Sequence, residues 1–162
     1  MDKTIVSILG ATVVILGVAI FVSSQQTSSK PIVAVDDTNR PIAMVSETHF
    51  NFGTVQMSDE PVRQVTIRNE GQTPLRLGKV STSCDCTFAT ITMPSGTTSP
   101  EFSMHGMNSW QDELKTGETA TINVIYRPAV MPVKGKVSRA LSITTNDPNQ
   151  PSIQIAFDAE VE

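Results

Sequence analysis

Residues 153–161 alternate without a slip: Ile153, Ile155, Phe157, Ala159 and Val161 fall on one side, Gln154, Ala156, Asp158 and Glu160 on the other. A period of two is the side-chain repeat of a β-strand with one buried face. The same period, punctuated by turn residues, recurs from Pro41 onward. Residues 43–52 end on Phe50-Asn51-Phe52-Gly53, and residues 62–68 put Val65 and Ile67 together before the turn Asn69-Glu70-Gly71. Leu75 and Leu77 alternate before Gly78, and Val80 leads into Ser83-Cys84-Asp85-Cys86-Thr87. Thr119–Tyr126 places Ala120, Ile122, Val124 and Tyr126 on one side, and residues 139–145 run into Asn146-Asp147-Pro148-Asn149. With ten prolines and a hydrophobic fraction of 39%, the chain has enough apolar residues for a core and too many helix breakers for a bundle. Helical spacing nowhere exceeds a turn after residue 22. The reading is an all-β, immunoglobulin-like, antiparallel two-sheet sandwich of about seven strands over residues 41–162.

The N-terminal part sets the expected compartment. Residues 5–22 are 18 consecutive uncharged positions. As a helix this run covers about 27 Å, close to the roughly 30 Å hydrocarbon layer of a bilayer. It reads as one transmembrane helix, a signal anchor, after a cytoplasmic stub of residues 1–4. A cleaved signal usually has an apolar region of about 7 to 15 residues, so an uncleaved anchor is preferred; the alternative is secretion after cleavage near Ser24. Lys3 and the α-amino group bias the orientation so that the C-terminal domain stands outside the cytoplasm. The expected location is therefore a cell membrane, single-pass, with an extracytoplasmic domain. Residues 23–40 form a polar linker. Their first part, Ser-Ser-Gln-Gln-Thr-Ser-Ser-Lys, has nothing to bury, and in their second part Asp36, Asp37 and two flanking prolines weaken any strand built on Ile32, Val33 and Val35.

Four motifs in series carry a family resemblance: Phe50-Asn51-Phe52-Gly53; Ile67-Arg68-Asn69-Glu70-Gly71 with Pro74-Leu75; Ser83-Cys84-Asp85-Cys86-Thr87; and Thr145-Asn146-Asp147-Pro148. In order and approximate spacing they resemble the bacterial family called domain of unknown function fifteen-seventy-three, over about residues 46–162. The resemblance implies an exported immunoglobulin-like sandwich, similar in shape to sperm-protein-like and ciliary-protein modules, with no assigned reaction. Two departures stand out. Asp85 sits between the cysteines where the family usually has Gly, and residues 92–114 are an insertion before the turn Thr116-Gly117-Glu118, where Thr116 replaces a proline.

Cys84 and Cys86 are the chain's two cysteines. Outside the cytoplasm free thiols rarely persist, so three states are open: a disulfide, within the pair or to a second chain, a metal site, or a redox-active pair. An Asp between the sulfurs disfavours thiolate and argues against a strongly nucleophilic pair. For the metal state, Met104, His105 and Met107 place two thioethers and an imidazole within four residues, and Met93 lies eleven upstream. With the two cysteines they would make a Cu(I) set. The plainer reading is that the methionines cover apolar surface and the histidine meets water, so no cofactor is expected, with copper as the alternative. His49, beside Phe50, points away from the core face.

No nucleophile elbow, dinucleotide fingerprint, phosphate loop or His-Glu-x-x-His occurs, so no enzyme is expected. A net charge of −4, with only Lys134, Lys136 and Arg139 as a short basic stretch, excludes nucleic acid as a partner. Two partners are expected: the membrane through residues 5–22, and an unidentified protein of the cell envelope. The candidate surface is the insertion, with Phe102, Met104, Met107 and Trp110 as contact residues, although a Trp is as often ordinary core as interface anchor; the insertion is expected to be removable without unfolding the sandwich.

Overall fold

A computed structural model describes residues 38–105 and 109–162. The expected stub, anchor and most of the linker, and Met107 of the insertion, lie outside the described residues. Among the described residues no helix is long and apolar enough to cross a membrane.

Among the described residues nine strands form two sheets. The four-stranded sheet has the order β1 (Ala43–Val45), β3 (Val62–Asn69), β7 (Thr119–Tyr126), β5 (Thr87–Thr92). The five-stranded sheet has the order β2 (His49–Val55), β9 (Ser152–Val161), β8 (Gly135–Thr145), β4 (Leu75–Thr82), β6 (Gln111–Leu114). The alternating residues of β9, β7 and β3 turn their apolar sides inward as their period requires. Between the sheets Phe50, Phe52, Tyr126 and Phe157 stack and edge against one another at centroid distances of 5.0 to 6.5 Å.

Three differences from the expected sandwich have physical causes. Residues 43–52 are two strands, because the chain crosses between sheets at residues 46–48: β1 pairs with β3, and β2 pairs with β9. The β2–β9 pairing is parallel, so the sandwich is not wholly antiparallel; a period of two reports which face is buried and is the same for either direction. The third difference is β6, whose Gln-Asp-Glu-Leu sequence carries no apolar alternation and buries only Leu114. In β4 the inward side switches from Leu75 and Leu77 to Val80 across a register shift, with Lys79 at φ +45°. That is a bulge, which explains the broken alternation after Gly78.

The strand registers define two ends. At the base, where Pro41 leads into β1, Ala43 lies opposite Asn69, and Arg68 lies opposite Thr119. At the tip, Val62 pairs with Ile125 and Thr87 with Tyr126. The base holds two of the resemblance motifs together. Asn69 is fully buried and uses its whole amide: Nδ2 donates to the Thr73 and Leu114 carbonyls, both 2.9 Å, and Oδ1 accepts from the Gly71 N–H at 2.9 Å and from the Ile42 N–H at 3.4 Å. Gly71 is required because a Cβ there would strike the backbone of Arg40, Pro41 and Ile42.

Candidate partner-binding tip

The tip is built around the turn joining β4 to β5. Cys84 and Cys86 are bonded to each other, with Cα atoms 5.3 Å apart and both residues buried. The turn is fastened to neighbouring elements by the Ser83 N–H on the Ala140 carbonyl, 2.9 Å, and by the Arg127 N–H on the Cys86 carbonyl, 2.8 Å. Asp85, between the two cysteines in sequence, is half-exposed, and its carboxylate meets His105 Nε2 at 3.3 Å.

The insertion is not a free loop. After β5 it turns at Gly96, φ +85°, and runs back along the outer edge of the same strand. Ser99 donates to the Ile91 carbonyl, and Phe102 exchanges both backbone hydrogen bonds with Ala89 at 2.8 and 3.1 Å. An exposed strand edge invites pairing with other chains, and this segment closes that of β5. Phe102 is 2% exposed and packs on Trp110 at a centroid distance of 5.4 Å; Leu114 and Met93 are also buried. Phe102 is therefore a core residue, not a contact residue, and Trp110 is half-buried against the core. The expectation that residues 92–114 can be removed without unfolding fails for the same reason: removal would strip these side chains and β6 from the core.

The remaining candidates divide. Met104 is 45% exposed, and His105 stands in solvent apart from its contact with Asp85. Because the cysteines are joined, neither offers a thiolate to copper in this state. Among the described residues no group of three or more His, Cys, Asp or Glu could hold a metal ion. His49 is exposed, its Nε2 2.9 Å from Asp158 on the outer face of the larger sheet.

What the sequence reading passed over is the segment after β7. Pro128–Val130 forms a 3-10 turn, and Val130, Met131 and Val133 are 50%, 42% and 43% exposed, with Val62 beside the end of β7 at 53%. The available signal was an apolar run, Ala129 to Val133, with no strand period and prolines within and before it. Arg127 holds the root of this segment. Its Nη1 and Nη2 fork onto Glu101 at 2.8 and 2.9 Å, Nε reaches Glu60 at 3.2 Å, and the guanidinium lies 4.4 Å above the centre of the Phe88 ring. The bidentate bond to Glu101 raises the Arg127 pKa above its already high value, so the clamp is charged at every ordinary pH.

A family model described as HYDIN/CFA65/VesB-like, Ig-like domain matches residues 41–160. The chain belongs to this family. The matched span of the HYDIN/CFA65/VesB-like domain runs from the base at Pro41 to Glu160 in β9 and includes the insertion. Among solved structures, a protein of unknown function from Porphyromonas gingivalis W83 superposes with a TM-score of 0.60 at 22% identity, over 82% of this chain and 51% of that one. This chain thus spans about half the length of that protein. A family 123 glycoside hydrolase from Clostridium perfringens gives 0.53 at 12% identity, over 75% of this chain and 27% of that one. At these identities the likeness is one of fold. No curated protein matches the chain.

Proposed function

We propose that this chain is a non-catalytic immunoglobulin-like module that grips a partner protein with its tip, as a binding or structural component of the bacterial cell envelope. The carrying observation is the distribution of exposed apolar side chains. Of the six large hydrophobic residues exposed among the described residues, Val62, Met104, Val130, Met131 and Val133 belong to the tip, and only Met44 lies elsewhere. Scattered apolar residues need no explanation, but a cluster marks an interaction surface. Arg127 ties the root of residues 128–133 to Glu101 and Glu60, and the Val130 N–H returns to the Arg127 carbonyl, which lowers the ordering cost of binding there. The partner face is apolar, since Val130, Met131 and Val133 offer it no side-chain hydrogen bond.

The four motifs support membership of the domain of unknown function fifteen-seventy-three family, and residues 5–22 support a single membrane anchor with the domain outside the cytoplasm. Fractionation followed by mass spectrometry separates this from the secreted form: an intact N-terminus in the membrane fraction is expected, and a soluble chain beginning near Ser24 overturns the anchor.

The tip is tested by placing a photo-crosslinking residue at Met131 and, as control, at Asn149 on the base. A discrete crosslinked protein from position 131 alone, lost when Val130 and Val133 become Asp, is expected. Equal crosslinking from both ends, or a product indifferent to the two aspartates, rules the tip out as the contact surface.

A further inference from the structure

Three hydrogen-bond donors converge on the two bonded sulfurs. Cys84 Sγ lies 3.2 Å from the Cys86 N–H and 3.4 Å from the hydroxyl of the buried Thr87. Cys86 Sγ lies 3.4 Å from Arg139 Nε, whose side chain reaches in from β8. The guanidinium also donates Nη1 to its neighbour's carbonyl, Ser138, at 3.0 Å, and its charge acts on the Tyr126 phenol; among the described residues no carboxylate forms an ion pair with it. A disulfide sulfur is a weak, neutral acceptor and gains little from such partners, whereas a thiolate gains a great deal. Asp85, the carboxylate between the two cysteines in sequence, meets His105 instead.

A structural staple is poorly served by this spacing. A bridge stabilises mainly by closing a loop in the unfolded chain, and the effect grows with loop length; here the separation is two residues. The turn is already held by the Ser83, Thr87 and Arg127 backbone hydrogen bonds.

We propose that Cys84–Cys86 is a reversible thiol–disulfide site that exchanges with a dithiol protein, and that Arg139 is the positioning residue that stabilises the departing Cys86 thiolate. One thiolate of the dithiol attacks Cys84 Sγ, the sulfur of the less deeply buried cysteine. A mixed disulfide forms and Cys86 leaves as a thiolate beside Arg139. The second thiolate of the partner then attacks its own bridged sulfur and releases Cys84. The two protons lost by the dithiol are taken up by Cys84 and Cys86, so that the bridge is reduced and the partner oxidised by two electrons. This inference goes beyond the partner-binding reading and stands without it.

The full chain in detergent is equilibrated with dithiothreitol redox buffers, quenched by alkylation and read by mass. Reduction without denaturant, with the β-sheet circular dichroism retained, is expected. A bridge that opens only after denaturant is added overturns the proposal. Arg139→Met shifts the equilibrium toward the disulfide about tenfold, equivalent to about 30 mV, and Arg139→Lys restores part of it. In the reduced chain Arg139→Met also moves the alkylation of Cys86 to higher pH. Thr87→Ala shifts the equilibrium in the same direction through the other sulfur, and serves where an Arg139 variant fails to fold. Equilibria and alkylation profiles indifferent to these substitutions would mean that the bridge is inert.

Discussion

The carboxylate of Asp147 accepts the backbone N–H of Ala43 at 2.9 Å, across 104 residues of chain. Asp147 is buried, and its other oxygen receives Arg40 Nη1 at 3.1 Å and the Asn149 N–H at 2.9 Å. The Asn-Asp-Pro turn is thus the catch that fastens the first strand to the base of the sandwich.

Asp147→Ala removes three acceptor contacts and leaves the Ala43 N–H buried without a partner. A loss of about 3 kcal/mol is expected, read as a lower urea midpoint with an unchanged slope. Arg40→Ala should cost less, because Arg40 retains solvent access.

Asn69→Asp puts a carboxylate oxygen where Nδ2 now donates to two carbonyls. At pH 7 it should destabilise by about 2 to 4 kcal/mol. Those two carbonyls raise the folded pKa of the new acid, so part of that loss should return as pH falls from 7 towards the unfolded value of about 4, when the protonated acid donates one of the two bonds. Unfolding midpoints of this variant against wild type at pH 7 and pH 3.5 measure the difference.

Phe102 and Met104 are two residues apart and should behave oppositely. Phe102→Ala opens a cavity beside Trp110 and is expected to cost about 3 to 5 kcal/mol. Met104→Ala at the exposed position should change stability by less than about 0.5 kcal/mol. Equal losses would mean that the segment from Thr97 to Phe102 does not pack on β5.

Burial raises the Tyr126 pKa above its ordinary 10.0, with the nearby Arg139 charge opposing. A raised folded pKa gives stability that is whole below the unfolded pKa and declines as pH climbs past it toward the folded one. The urea midpoint should therefore fall between pH 9 and pH 11, and Tyr126→Phe should flatten that fall.

The β-sandwich was legible because Ile153 to Val161 and Ala120 to Tyr126 state their buried face directly. The tip was only half legible. Cys84 and Cys86 announced themselves by chemistry, but Val130, Met131 and Val133 have no period to mark them, and an apolar residue does not reveal from sequence whether anything covers it. Phe102 and Trp110 show the converse: aromatic residues in an insertion suggest contact with a partner, yet these two serve the domain's own core.

Sequence alone determined that the chain makes strands, where they turn, and which side of each faces inward, since these depend on side-chain period and local backbone preference. The tertiary structure decided which strands are neighbours, that β2 runs parallel to β9, that the insertion seals the edge of β5, and that Arg139 reaches Cys86. Those facts arise from contacts between residues far apart in the chain, and one-dimensional alternation carries no record of distance in space.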